Sequence, residues 1–283
     1  MIENCFHKRN KISKFMFFLC AFCAFVALSV LLFVLGYITF KGIACIDWDF
    51  LIRLPKPIGE EGGGIANSII GSAKIVSIAA LIGIPIGVLG AIYLVEYGNN
   101  RIGLAIRYSA DLLNSMPSIV IGIFAYTIIV LPMKNFSAIA GSIALAIIMI
   151  PIILRNTEEF ICLVPQSIRE AALALGVLRW KMILFIVLPT ALRGILTGIL
   201  LAISRIAGET APLIFTTFGN HFWDNGLLNP IAALPLTIFN YSISPYEDWH
   251  KQAWAAAFIL IVIVLIVNVS ARMIMRRSEG THY

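Results

Sequence analysis

The sequence predicts an all-α membrane protein of six transmembrane helices. Three observations carry that prediction. Of the 283 residues, 60% are hydrophobic and 13% charged, against roughly 25% charged residues in a soluble domain. Six apolar runs are each long enough to cross a hydrocarbon core, which takes about 20 residues of helix. Nothing along the chain alternates with the period of two that a membrane barrel requires, and a lipid-facing backbone can otherwise satisfy its polar groups only as helix.

The first run, Phe15 to Ile38, follows Lys8, Arg9, Lys11 and Lys14. It is too long for a secretory signal and no small-x-small cleavage site follows promptly, so it reads as a retained signal anchor. Its basic flank keeps the N-terminus in the cytoplasm. GEEGGG, from Gly59 to Gly64, reads as a flexible outer hinge that lets helix 1 lie against the core or wrap a neighbouring subunit. The second run, Ala73 to Val95, carries Gly83, Pro85, Gly87 and Gly90; the third is Leu112 to Leu131. The fourth, Phe136 to Leu154, carries Ala140, Gly141, Ala144 and Ala146. Small residues of this kind let membrane helices approach closely. The fifth run is Leu192 to Phe215 and the sixth Ala253 to Ala271. Between them the segment Gly219 to Trp249, with Trp223, Asp224, Asn225, Pro230, Pro235 and Tyr246, cannot be a span.

Six crossings from a cytoplasmic start make the loops alternate, and the charges follow. Fourteen of the 21 Lys and Arg fall on the inner side, five fall outside (Lys41, Arg53, Lys56, Lys134, Lys251), and Lys74 and Arg205 lie within membrane runs. The net charge of +6 is therefore a topology signal and makes nucleic acid an improbable partner. No G-x-x-x-x-G-K-[ST] loop occurs, so this chain does not bind and hydrolyse ATP in that manner, and any energy must come from elsewhere. His7, His221, His250 and His282 are too scattered for metal-ligand spacing. Cys20 and Cys23 form a C-x-x-C inside an apolar helix, where they read as lipid-facing or packing residues.

The inner segment from Arg155 to Pro189 is the most informative part of the chain. It is far longer than the usual bundle connection. SIREAALALG within it reads as a short helix, with Ser167 and Glu170 spaced as a capping box and Gly176 as a left-handed close. Ile168, Ala171, Ala172 and Leu175 form one apolar face. Trp180, Arg179 and Lys181 suit the interface, and Pro189 opens helix 5. On residues alone, such a helix could simply lie on the inner membrane face.

The stretch REAALALGVLRWKMILFIVLP resembles the EAA loop of ABC importer permeases, with Glu170, Ala171, Ala172, Gly176, Ile186, Leu188 and Pro189 at the family's spacing. The resemblance implies a type I ABC importer permease fold, the MetI-like family, whose loop is a cytoplasmic coupling helix docked in a cleft of the ATPase. GGGIANSIIGSAKI, IPIGVLGAIYLVEY, NSMPSIVIGIFAY, AGSIALAIIMIPIILRNTEE and ISRIAGETAPLIFTTF extend it from Gly62 to about Phe218. Together they are similar to the PstA-type permeases of bacterial phosphate importers. That similarity implies a PstC-like second permease, a PstB-like ATPase dimer, a PstS-like phosphate-binding protein and inorganic phosphate as cargo, with no cofactor. It divides the chain into residues 1–67 (cytoplasmic tail, helix 1 and outer loop), 68–272 (permease core, with the coupling loop at 155–189) and 273–283 (cytoplasmic tail). The segment Gly219 to Trp249 then offers a surface for the binding protein.

Arg205 would lie about 20 Å into helix 5, in the outer half of a roughly 30 Å core. An arginine at that depth must face protein or water. Guanidinium matches the oxygens of phosphate and stays charged when partly desolvated, which makes Arg205 the first candidate for contacting the anion. Glu209, four residues on, can compensate its charge in an empty pathway, or the two can be a fixed pair that stabilises the bundle. Gly208 and Pro212 should weaken the helix there. Arg155 either guides phosphate to the cytoplasmic exit or anchors helix 4 by pairing with Glu158 or Glu159. Lys74 reads as snorkelling to the outer interface. Thr210, Ser204 and Thr216 either donate to phosphate or bond back to their own helix. Three rival functions share much of this pattern: a permease for phosphonate, sulfate or molybdate; a secondary transporter, which would need no coupling loop; and a membrane component concerned chiefly with signalling.

Overall fold

The computed structural model describes the backbone of residues 2–57, 60, 62–223 and 226–277, and side chains over 12–57, 60, 62–223 and 226–273. Helices form at α1 (Ile2–Ile43), α2 (Trp48–Ile52), α3 (Ala66–Glu96), α4 (Arg101–Ser115), α5 (Ser118–Ala125), α6 (Leu131–Met133) and α7 (Ala138–Cys162). They continue at α8 (Gln166–Ala174), α9 (Arg179–Met182), α10 (Leu188–Ala207), α11 (Ala211–Thr216), α12 (Leu234–Ser242) and α13 (Glu247–Arg277). Among the described residues no strand forms, and Phe218 and Ile231 make an isolated parallel bridge.

Five helical spans are long and apolar enough to cross a membrane: Ile12–Ile43, Ala66–Glu96, Ala138–Cys162, Arg179–Ala207 and Glu247–Met273. The sixth is a bent pair, Arg101–Ser115 and Ser118–Met133, with 105° between its halves. The third run is therefore not the single straight helix its hydropathy predicts. Pro117 holds Met116 in extended backbone (φ −71°, ψ 137°), because the proline ring excludes the helical region for the residue before it. α4, on the near side of the elbow, is amphipathic.

Most crossings outrun the apolar stretches that announce them. The fourth reaches Cys162 and the fifth begins at Arg179, because a helix continues through polar residues wherever their side chains find partners. The inner connection thus spans only Leu163 to Leu178, shorter than the 155–189 predicted. The fifth crossing also ends earlier: α10 stops at Ala207, and α11 resumes only at Ala211. Two π-helical segments, Tyr126–Val130 and Ile183–Val187, stand just before Pro132 and Pro189. Each proline denies an N–H to the carbonyl four residues back, and the preceding turn widens to compensate.

α7 is the central helix. Its apolar window is 72% buried, against 28% for α3 and 0% for α1. α3 runs parallel to it along a glycine seam: Gly83 sits on Met149, Gly87 on Ile153 and Gly90 on Leu154. A Cβ on Gly87 would meet Ile153 Cβ at 2.8 Å, so the backbones approach as closely as the small residues predicted. Ile75, Ala79, Leu145, Met149, Ile153 and Ile206 form the core around this seam.

α1 rests on α13 near its end, where Gly42 meets Phe258 and the Tyr37 ring stands edge-on to Trp254 at 5.3 Å. From Ile12 to Val34 its apolar side chains are exposed. The hinge from Gly59 to Gly64 falls partly outside the described residues. Its described end is pinned, since Gly64 N–H donates to the Leu54 carbonyl. The segment from Gly219 to Trp249 is more than a surface. Asp224 and Asn225 lie outside the described residues and Trp223 is exposed, but Ile231 through Leu234 and Leu236 are buried against α3 and α13. Leu234 N–H donates to Ser72 Oγ (2.7 Å), and Ser68 Oγ bonds Thr237 Oγ1 (2.7 Å). Burial pushes the Tyr241 phenol up to about 12.

Candidate functional site

Arg205 occupies the last turn of α10, where a cation suits the helix carbonyls. α10 runs antiparallel to α7, with Gly194 on Phe160 and Gly198 on Asn156. That register sets Arg205 level with Met149, at the middle of α7 and hence of the span. The outer-half depth predicted from Leu192 needs correcting, because the path outward does not end with α10: α11 continues beyond the break, and its Thr216 carbonyl accepts from Ser137 N–H at the start of α7. The Arg205 side chain is 49% exposed and its Nε lies 3.8 Å from Glu209 Oε1, a loose pair.

Glu209 is not on the same helix as Arg205. α10 caps at Gly208, and Glu209 reaches back through a turn in which its N–H donates to the Ile206 carbonyl. Thr210 is the residue before α11, with no side-chain capping bond. The break predicted from Gly208 and Pro212 is thus present at mid-membrane depth. The flanking hydroxyls bond back to their own helices, Ser204 Oγ to the Leu200 carbonyl and Thr216 Oγ1 to the Pro212 carbonyl, and Ser204 Oγ also donates across to Asn268 Oδ1 of α13.

Sequence reading missed that Arg205 ends a stripe. Thr190, Arg193, Thr197, Leu201 and Arg205 recur at three and four residue spacing on α10, and all are exposed on the isolated chain. A membrane helix does not turn two arginines and two threonines to hydrocarbon, so this face belongs against water or protein. The spacing was legible in the sequence, but Arg193 reads there only as an inner-side charge.

The short helix α8 is present, with different ends. Pro165, not Ser167, precedes its first turn, so the capping box does not form: Ser167 already lies inside the helix. Gly176 is left-handed (φ +77°) as predicted, and Val177 N–H returns to the Ala172 carbonyl, closing the helix. The apolar face splits. Ala172 is buried, but Ile168, Ala171 and Leu175 are exposed, Leu175 to 85%, as is Glu170. Leu188 and Pro189 lie beyond the π-helical turn at the start of α10.

Two ionic clusters hold this end of the bundle; sequence reading foresaw only the Arg155–Glu158 contact of the first and missed the second. Arg107 Nε donates to Glu158 Oε1 (2.6 Å) and Arg155 Nη1 to Glu158 Oε2 (2.9 Å), while Arg155 Nε also donates to Asp111 (2.8 Å). Arg155 thus has the Glu158 partner that its anchoring reading predicted, with Asp111 added, and ties α4 to α7. In the second cluster Arg169 of α8 pairs with Glu96, the last residue of α3, both side chains being buried. Arg169 Nη2 also donates to the Ile161 carbonyl (2.9 Å). Arg179 donates to the Glu96 carbonyl and stacks its guanidinium 4.8 Å over the Tyr97 ring. The partners stand 73 and 51 residues apart, a separation no local pattern encodes.

Residues 83–280 match the family model described as binding-protein-dependent transport system inner membrane component. The phosphate transport system permease protein PstA of Yersinia pestis is 46% identical over 88% of this chain and 85% of its own length. That of Pasteurella multocida is 43% identical over 96% and 98%, and a probable PstA of Methanocaldococcus jannaschii is 35% identical over 92% of each. Among solved structures, a chain of a bacterial alginate ABC transporter superposes with a TM-score of 0.65 at 13% identity, covering 90% of this chain and 93% of that one. A chain of the inward-facing MetNI methionine ABC transporter gives 0.61 at 16%, covering 75% and 96%. At such identities the structures show the fold alone, that of an ABC importer permease, and the sequence relatives carry the rest. The chain belongs to the binding-protein-dependent transport system inner membrane components and, within them, to the PstA-type permeases.

Proposed function

We propose that this chain is one permease of an importer that carries inorganic phosphate across a bacterial inner membrane, driven by ATP hydrolysed in a partner subunit. A PstC-like permease completes the pathway, a PstB-like ATPase dimer docks on α8, and a PstS-like protein delivers phosphate from outside. Both termini and α8 then lie in the cytoplasm, with residues 68–272 as the permease core between cytoplasmic tails. The relatives named as phosphate transport permeases support the cargo.

The observation that carries the pathway reading is Arg205: a half-exposed, loosely paired guanidinium at mid-membrane, beside a break in its helix. Phosphate offers several oxygens to its parallel donors, and Glu209 with Thr210 completes a site that can hold charge balance when empty. The contact has to be modest, because tight binding would stall release. Arg155, at the α8 end, passes the anion to the exit while held by Asp111 and Glu158. Glu170, Ala171, Ala172, Gly176, Leu188 and Pro189 form the coupling element. Its exposed Ile168, Ala171 and Leu175 give an ATPase cleft an apolar surface on a helix outside the membrane spans.

Competition tests the cargo. Labelled phosphate uptake through the assembled importer should be reduced by unlabelled phosphate and unaffected by equal sulfate, molybdate or phosphonate. Equal competition by one of these anions overturns phosphate as the selected cargo.

A further inference from the structure

The Glu96 cluster is a costly way to hold two helices together. Its carboxylate is buried, with the side chain 4% exposed, and it sits at a helix C-terminus, where the backbone carbonyls repel a negative charge. Arg169 is buried too, and its Nε has no hydrogen-bond partner. Buried ion pairs with an unsatisfied donor add little stability over an apolar contact. What the pair does supply is direction. One guanidinium joins α8 to the side chain of Glu96 and to the Ile161 carbonyl of α7, while Arg179 holds the Glu96 main chain from the other side.

α3 is the helix this clamp engages. Its 31 residues make a rod about 46 Å long, stiffened along the glycine seam with α7. Its opposite end is latched as well. Ser68 bonds Thr237, Ser72 accepts from Leu234 N–H, and Asn67 Nδ2 donates to the Asn220 carbonyl (2.6 Å). Asn67, Ser68, Asn220 and Thr237 belong to the wall of a cavity of about 130 Å³ that also includes His221 and Asn240. One helix therefore connects α8 to a polar cavity at the far side of the molecule.

We propose that Glu96 is the positioning residue through which α8 drives α3, so that movement of the coupling helix changes the Ser68–Thr237 contact at the opposite mouth. The inference rests on the reading of α8 as the element the ATPase moves. Glu96 touches no cargo; it sets whether ATP-driven displacement reaches the outer cavity or is lost at a slack joint.

The test uses the complete four-component importer in proteoliposomes and reads phosphate taken up per ATP hydrolysed. Replacing both partners together (Glu96→Met with Arg169→Met) removes the directional tie without leaving a lone buried charge. The assembled variant should still hydrolyse ATP, with phosphate per ATP lower by about tenfold. Arg169→Lys, which keeps the charge but loses the two-armed grip, should lower the ratio less. In a Ser68→Cys, Thr237→Cys protein, the rate of disulfide formation should change on ATP binding, and that change should vanish when the Glu96 tie is removed. An assembled double variant with the original ratio overturns the proposal. Should the double variant fail to assemble, an unchanged ratio in Arg169→Lys overturns it equally. If the unmodified importer takes up no phosphate, the transport reading has failed, and the ATP dependence of the disulfide rate still decides the strut.

Discussion

Replacing Arg205 with glutamine separates a pathway residue from a bundle clamp. The side chain is 49% exposed and its partner stands 3.8 Å away, so the ion pair is worth at most about 1 kcal/mol to stability. Assembly should therefore survive. A charged hydrogen bond to phosphate, by contrast, is worth about 1.5–3 kcal/mol, and every 1.36 kcal/mol is a factor of ten. If transport depends on that contact, uptake should fall by about 10- to 150-fold. Two measurements on the same membranes decide it: labelled phosphate uptake, and the amount of permease recovered with its partners. Glu209→Gln tests the other half. It leaves Arg205 uncompensated, so phosphate should be held longer and uptake at saturating phosphate should slow. Wild-type uptake in Arg205→Gln would refute the reasoning, and loss of the assembled complex would show the pair to be structural instead.

Three further perturbations test other parts of the account. Gly176 is left-handed with no atom within 4 Å of an added Cβ, and both Asn and Asp tolerate that backbone; Gly176→Asp should impair ATPase association or stimulation while Gly176→Asn impairs it less, as read by co-purification and ATP hydrolysis. Gly87→Val forces a Cβ against Ile153 at 2.8 Å and should cost about 1–3 kcal/mol by overpacking, seen as a lower unfolding temperature of the detergent-purified complex. Glu158→Ala strands Arg107 and leaves Arg155 with Asp111 alone. With both arginines partly exposed, the cost should fall at or below the roughly 3 kcal/mol lower limit for breaking a buried pair, measured as lost thermal stability that Glu158→Asp partly restores.

The crossings were legible because lipid imposes one rule on every residue it touches: Ala66–Glu96 contains the apolar run that announced it, and Ala138–Cys162 contains all but the first two residues of its own. Their ends were not. Arg155 and Glu158 continue α7 because they pair with Asp111 and Arg107 of α4 instead of facing lipid, and hydropathy cannot see a neighbour. The elbow at Met116 was readable in principle from Pro117, but the apolar window starting at Leu112 bridges it. Spacing placed Arg205 and Glu209 together and Gly208 at a break, and the EAA pattern located α8 and its left-handed Gly176. The capping box misled because Pro165 starts the helix two residues sooner than Ser167 allows as a cap. Glu96 and Arg169 carried no signal, since a pair 73 residues apart is made by the packing of α3 on α7. The sequence shows each charge and not its partner.

The central claim is that this chain works as a phosphate permease only within an ATP-driven assembly. Its most direct test is labelled phosphate uptake in vesicles containing this chain with the second permease, the ATPase and the binding protein, each omitted in turn. The account predicts uptake that needs ATP and all four components. Uptake that persists without the ATPase would contradict it.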